Sequence, residues 1–236
     1  MRVAILQCDS VLDKFQPQFG DYPEMISGMF ADSNASLLFD TFDCRLDKFP
    51  DDIDIYDFYI TTGSKSSVYD DSDWIRQVIT FIKKLNHHKK KFIGICFGHQ
   101  LIAMACNGKV EKSNKGWGIG VAENHIFKKP SGVKETPVTI NILASHQDQI
   151  IKLPEDTTVI AGNAFCPNFI VQWGNNFLSI QGHPEWNREY SRALINDRRA
   201  LIPAGRIQSG LDSLQTKPDN TLFARWILDF VQHAQR

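Results

Sequence analysis

Two short segments, far apart in the chain, carry residue types that together could perform acyl transfer. The first is Gly94-Ile95-Cys96-Phe97-Gly98. It follows the apolar run 92–95 and precedes a helix-like run ending near Asn107-Gly108, so it reads as strand, tight turn and helix. Glycines two positions before and after a nucleophile mark an elbow where a strand turns at once into a helix, because side chains there would collide. The turn sets Cys96 at a helix N-terminus, where free N–H groups and the dipole favour negative charge on sulfur. It also places the Phe97 N–H to serve as an oxyanion donor.

The second segment is His183-Pro184-Glu185, which follows the strand-like run 177–181 and Gly182. Pro184 holds the backbone extended and cannot lie inside a central strand, so the chain is leaving the sheet there. Alternate side chains of an extended stretch share a side. Glu185 can therefore steady the His183 imidazole through the nitrogen that faces away from the thiol. Nucleophile, base and orienting group are the parts that covalent acyl transfer needs.

Other candidates read more plainly. Cys8, Cys44, Cys106 and Cys166 lack the elbow setting and are expected to be packing thiols. His99, on the first turn after the elbow, is expected to pack behind the site, and His146 beside Asp148 to bind or support rather than act as base. The cluster His87-His88-Lys89-Lys90-Lys91 reads as a solvated helix end rather than a metal or nucleic-acid site. Arg192, Arg198, Arg199 and Arg206 read as a solvated helix face, a small anion patch being the alternative. Neither a Gly-x-x-x-x-Gly-Lys-[Ser/Thr] loop nor a Ser-Gly-Gly-x-Asp loop is present, so the chain has no evident means of activating a substrate with ATP.

The elements that must position these groups alternate in the N-terminal half. Apolar runs at 3–6, 37–39, 58–60 and 92–95 read as buried strands. Met25, Ile26, Met29 and Phe30 form one helix face. Trp74, Ile75, Val78, Ile79, Ile82 and Leu85 form another, with acidic residues at its start and basic ones at its end, as the helix dipole favours. After about residue 108 strands crowd together, at 119–127, 138–144, 158–161, 169–173 and 177–180, with a hairpin turn at 173–177. Helices follow Trp186 and begin at Thr221, and the polar stretch 205–219 between them is expected to be a surface loop. The fold class expected is α/β, a doubly wound, mainly parallel sheet with helices on both faces and a smaller antiparallel region in the C-terminal half. Residues 1–236 are expected to form a single domain.

Composition excludes some classes. The 26 Lys plus Arg against 27 Asp plus Glu give a net charge of -1, without the basic excess that drives nucleic-acid binding. No run approaches the roughly 20 apolar residues that span a bilayer, so no membrane association is expected. Five scattered cysteines with no Cys-x-x-Cys pair suggest neither a disulfide framework nor a zinc site and suit a cytoplasmic setting.

Taken together, Gly94 to Gln100, Gly182-His183-Pro184-Glu185, the segment Ser145-His146-Gln147-Asp148-Gln149-Ile150 and Thr62-Gly63-Ser64 resemble the class I glutamine amidotransferases. Within that family the likeness is to the GMP synthetase glutaminase domain and its stand-alone γ-glutamyl peptidase-like relatives, which carry a stretch similar to Gly63 to Asp71. The resemblance implies catalytic Cys96, His183 and Glu185 and oxyanion donors at Gly63, Ser64 and Phe97. It implies a γ-glutamyl group held by Gln100 and the backbone around Ser145 and His146, and no metal or other cofactor. A small-molecule substrate, glutamine or another γ-glutamyl compound, is implied, cleaved through a Cys96 thioester. A glutaminase subunit feeding ammonia to a separate synthetase chain is one alternative, and a non-catalytic binding or regulatory protein is another. Two departures stand out: Gly182 replaces the family's usual Phe, implying a more open wall beside His183, and Thr62-Gly63-Ser64 replaces the frequent Gly-Gly-Pro turn.

Overall fold

The computed structural model describes residues 1–233. Its strands are β1 (Arg2–Gln7), β2 (Leu38–Asp43), β3 (Phe58–Thr61), β4 (Lys91–Ile95), β5 (Lys109–Lys112), β6 (Gly118–Ile126), β7 (Thr139–His146), β8 (Asp148–Lys152), β9 (Thr157–Gly162), β10 (Ile170–Trp173) and β11 (Phe177–Ile180). Its helices are α1 (Gln16–Phe19), α2 (Tyr22–Met29), α3 (Asp73–His87), α4 (Phe97–Ala105), α5 (Arg188–Asp197), α6 (Ala204–Ser213) and α7 (Asn220–Gln232).

Nine strands make one sheet in the order β2-β1-β3-β4-β11-β10-β9-β6-β7, and β5 pairs with β8 apart from it. Pairing is parallel from β2 to β11 and antiparallel from β11 to β7. The antiparallel region thus continues the parallel one, and β11, the last strand in sequence, sits between β4 and β10.

Alternation along β1 shows how the layers close. Val3 and Ile5 face one side, with Ile26 of α2 and Phe223, Trp226 and Phe230 of α7. Ala4 and Leu6 face the other, with Ile75, Val78 and Ile82 of α3 and Leu101 of α4. A strand covered on both faces must be apolar throughout, which is why these segments read as unbroken hydrophobic runs.

The stretch 205–219 departs from expectation. Most of it is helical: α6 buries Ile207 and Gly210, and Leu214 follows, also buried, against a third cluster with Trp186 and Tyr190. A Cβ at Gly210 would come within 2.8 Å of Ile119, so the glycine lets the helix approach β6 closely. The apolar stripe is too narrow to stand out among its polar neighbours.

Candidate active site

The register of the parallel strands assembles the site. Ile93 of β4 lies beside Ile60 of β3 and Leu178 of β11, and Ile95 lies beside Ile180. The carboxyl ends of these strands therefore emerge side by side, where crevices form in open α/β sheets. Gly63 follows β3, Cys96 follows β4 and His183 follows β11.

Cys96 has φ 49° and ψ -94°, a left-handed conformation that a non-glycine residue adopts only where its surroundings impose it. The chain is closely packed on both sides of it. A Cβ at Gly94 would lie 2.7 Å from the Gly98 carbonyl, and one at Gly98 would overlap Thr61 Oγ1. The elbow glycines are thus sterically required.

His183 and Cys96 both border Gly63, and His183 Nδ1 lies 2.7 Å from Glu185 Oε1. The ring rests on Trp186, with centroids 3.6 Å apart and planes 8° from parallel. On its other side, a Cβ at Gly63 would come within 2.8 Å of His183 Cε1. Burial acts against an imidazolium here, but Glu185 and then Cys96 outweigh it and raise His183 to about 9. Glu185 and Cys96 are nearly buried, so the attraction works with little screening by water.

The expected oxyanion donors lie close by. Among the described residues, the N–H groups of Gly63, Ser64 and Phe97 donate to no partner. The loop that carries Gly63 and Ser64 is fastened at two points. Asp9 Oδ2 accepts from the Lys65 N–H at 2.9 Å, and the Asp148 carboxylate accepts from Ser67 Oγ at 2.5 Å and from the Tyr69 hydroxyl at 2.9 Å.

The expected substrate-binding residues are arranged around this core. Gln100 Nε2 donates to Asp148 O at 3.0 Å and to Gln181 Oε1 at 3.1 Å. Ser145 Oγ accepts from Arg198 Nη1 at 2.7 Å. His146 Nδ1 lies 3.2 Å from Asp148 O; burial lowers its pKa to about 4, the Asp148 carbonyl opposing and the charge of His183 adding to the fall. His99 is also kept neutral, lowered to about 3 by burial and by His146 against the Asn168 backbone, with Nδ1 2.7 Å from Ser179 Oγ.

Sequence reasoning missed two members. Gln181 is fully buried and donates through Nε2 to Cys96 Sγ at 3.5 Å. The alternation that pairs His183 with Glu185 also includes Gln181, and that was the available signal. Trp186 carried no sequence signal for its stacking. The open wall expected at Gly182 is not there: Ile142 Cγ2, Phe169 Cζ and Leu143 O stand within 2.6–2.8 Å of where its Cβ would be. Phe169, from another part of the chain, fills the space.

A strained cysteine elbow, a histidine–carboxylate pair and free amides meet at the carboxyl ends of the parallel strands, an arrangement suited to acyl transfer. Residues 47–198 match the family Glutamine amidotransferase class-I, and the chain belongs to it. Gamma-glutamyl peptidase 3 of Arabidopsis thaliana is 34% identical over 95% of this chain and 93% of its own. A GMP synthase [glutamine-hydrolyzing] of Bacillus pumilus is 32% identical over 58% of this chain but only 26% of its own. The crystal structure of a glutamine amido transferase from Methylobacillus flagellatus superposes with a TM-score of 0.76 at 18% identity, covering 100% of this chain and 96% of that one, and shares the fold. The chain is a glutamine amidotransferase-like hydrolase. No described helix is long and apolar enough to cross a membrane.

Proposed function

We propose that the chain hydrolyses the γ-glutamyl amide bond of a small γ-glutamyl compound through a thioester on Cys96. The observation that carries this reading is the series Glu185–His183–Cys96, with a 2.7 Å carboxylate–imidazole contact, beside three amides free to donate.

In the proposed mechanism, Sγ attacks the γ-carbonyl carbon with its proton already held on His183 Nε2, as the raised His183 favours. The carbonyl oxygen becomes an oxyanion and accepts from Phe97 and from Gly63 or Ser64, an interaction worth about 10²–10³ in rate per donor. The C–N bond breaks as His183 passes its proton to the departing nitrogen, leaving the thioester and a free amine. Water then attacks the thioester and gives its proton to His183. The C–S bond breaks, the proton returns to sulfur, and glutamate leaves. Gln100 and the backbone around Ser145 and His146 receive the α-amino and α-carboxylate groups of the glutamyl half.

Similarity to a γ-glutamyl peptidase along 95% of the chain supports a self-contained hydrolase. A second reading, a glutaminase subunit delivering ammonia to a separate synthetase chain, draws on the likeness to a GMP synthase. Five free thiols fit a reducing compartment, and the proposal places the protein in the cytosol. Incubation of the purified chain with glutamine and with γ-glutamylglycine, beside Cys96→Ala, separates the readings. Release of glutamate and glycine by the unmodified chain alone is the expected result. Turnover of glutamine only when a synthetase is added favours the second reading, and no turnover of either donor sinks both.

A further inference from the structure

A narrow cleft of about 50 Å³ is lined by Ser64, Lys65, Ser145, His183, Trp186 and Arg198, among others. Cys96 and Gln100 do not line it. Through the shared residues Asp9, Ser10, Leu12 and Lys65 it continues into an open bay of about 740 Å³. His183 is the group that hands a proton to the departing nitrogen. The passage thus reaches His183 without being lined by Cys96 or by Gln100, an expected holder of the glutamyl half, and its Ser145 wall adjoins the expected glutamyl subsite.

The cations along this passage differ in one respect. Lys65 pairs with Asp9 at 3.3 Å, Arg45 with Asp43 at 2.7 Å and with Asp9 at 3.5 Å, and Lys14 with Asp197. Among the described residues, no carboxylate lies within ion-pair distance of Arg198. The Arg198 guanidinium is half-buried and held by neutral partners, donating to Ser145 Oγ at 2.7 Å and lying 5.2 Å from the centre of the Trp117 ring. A guanidinium has five N–H donors in a planar fork that matches a carboxylate. Here it is steadied, partly shielded from water and without an anion. Its neighbours differ: Arg199 is exposed and bonds Asn196, while Arg206 lies over Phe165. The four arginines are therefore not one solvated face.

We infer that Arg198 is a specificity-determining residue that binds the carboxylate of the leaving group. The substrate class is then a γ-glutamyl amino acid or short γ-glutamyl peptide with a free C-terminus. Glutamine releases ammonia, which has no such carboxylate, and makes no use of this contact. The inference rests on the hydrolase reading above and adds the identity of the leaving half.

The test measures kcat and KM of the full chain, Arg198→Gln and Arg198→Lys with three donors: γ-glutamylglycine, its C-terminal amide, and glutamine. A hydrogen-bonded charge contact is worth enough to change affinity by about 10- to 100-fold. Arg198→Gln is expected to raise KM for γ-glutamylglycine by that factor with kcat nearly kept, and Arg198→Lys to recover part of the loss. The amide is expected to bind the unmodified chain as weakly as γ-glutamylglycine binds Arg198→Gln, with no further loss in the variant. KM for glutamine is expected to stay unchanged. Equal losses on glutamine and γ-glutamylglycine would assign Arg198 to the glutamyl α-carboxylate and overturn the inference, as would no change with any donor. Calorimetric titration of γ-glutamylglycine into Cys96→Ala, with and without Arg198→Gln, reads binding without turnover. Absent activity therefore counts against the hydrolase reading alone, while equal affinities in the two proteins overturn the role of Arg198.

Discussion

The His183 ring lies flat on Trp186, 3.6 Å between centroids and 8° from parallel, while its edge is held by Glu185. The backbone at this point is fixed too, because the His183 N–H donates to Leu143 O at 2.7 Å. The ring is thus held across its face, along its edge and through its main chain. An indole face also favours a cationic ring above it. Trp186→Leu is expected to lower kcat by about 100-fold, the cost of misplacing a catalytic group by about 1 Å, with KM little changed. Trp186→Phe should fall between the two, as steady-state kinetics would show.

Stability should depend on pH through the same ring. An unfolded histidine titrates near 6.5, and in the fold Glu185 and Cys96 overcome burial and raise His183 to about 9. The folded state holds the proton more tightly, so this contribution is complete below the unfolded pKa and is lost as pH rises through the folded one. Glu185→Gln removes the largest raising influence. Its stability should therefore decline less steeply over that interval. Denaturant midpoints for both proteins at about pH 6, 7.5 and 9 test this, and parallel profiles would refute it.

Two glycines give opposite tests of space. Gly63→Ala places a methyl 2.8 Å from His183 Cε1 and should lower kcat with little loss of melting temperature, because only the ring must move. Gly182→Phe, which restores the residue the family usually has, would drive a ring into Phe169 and the Leu143 backbone. Overpacking of this kind costs about 1–3 kcal/mol or more, so thermal melting should fall clearly while Gly63→Ala melts almost normally.

Asp148 fastens the Gly63–Ser64 loop through Ser67 and Tyr69. Asp148→Ala should release that loop, raising hydrogen exchange at residues 64–69 and lowering kcat, whereas Asp148→Asn keeps an acceptor for one hydroxyl and should lose less. Unchanged exchange in Asp148→Ala would show that the loop is held by other means.

The elbow was legible because its requirements are local: glycine spacing, an apolar strand before it and a helix after it. The His183–Glu185 pair was legible for a similar reason, since alternation along an extended segment needs no knowledge of the rest of the fold. Gln181 obeys the same alternation, yet its role emerges only when β11 lies beside β4 and brings its amide to the sulfur. The filled space at Gly182 depends on Phe169, which nothing in the adjacent sequence announces. Arg198 illustrates the same limit: its sequence neighbours are charged, and only the tertiary fold separates it from them.

The insertion of β11 between β4 and β10 has a consequence for the growing polypeptide. During synthesis Cys96 emerges long before His183 and Glu185, and the strand that leads to these partners is the last of the described strands to be made. Until then the thiol has neither of them beside it. On the proposed function, the order of residues along the chain withholds an activated sulfur until the chain is nearly complete, so that chemical competence would arrive with the folded state.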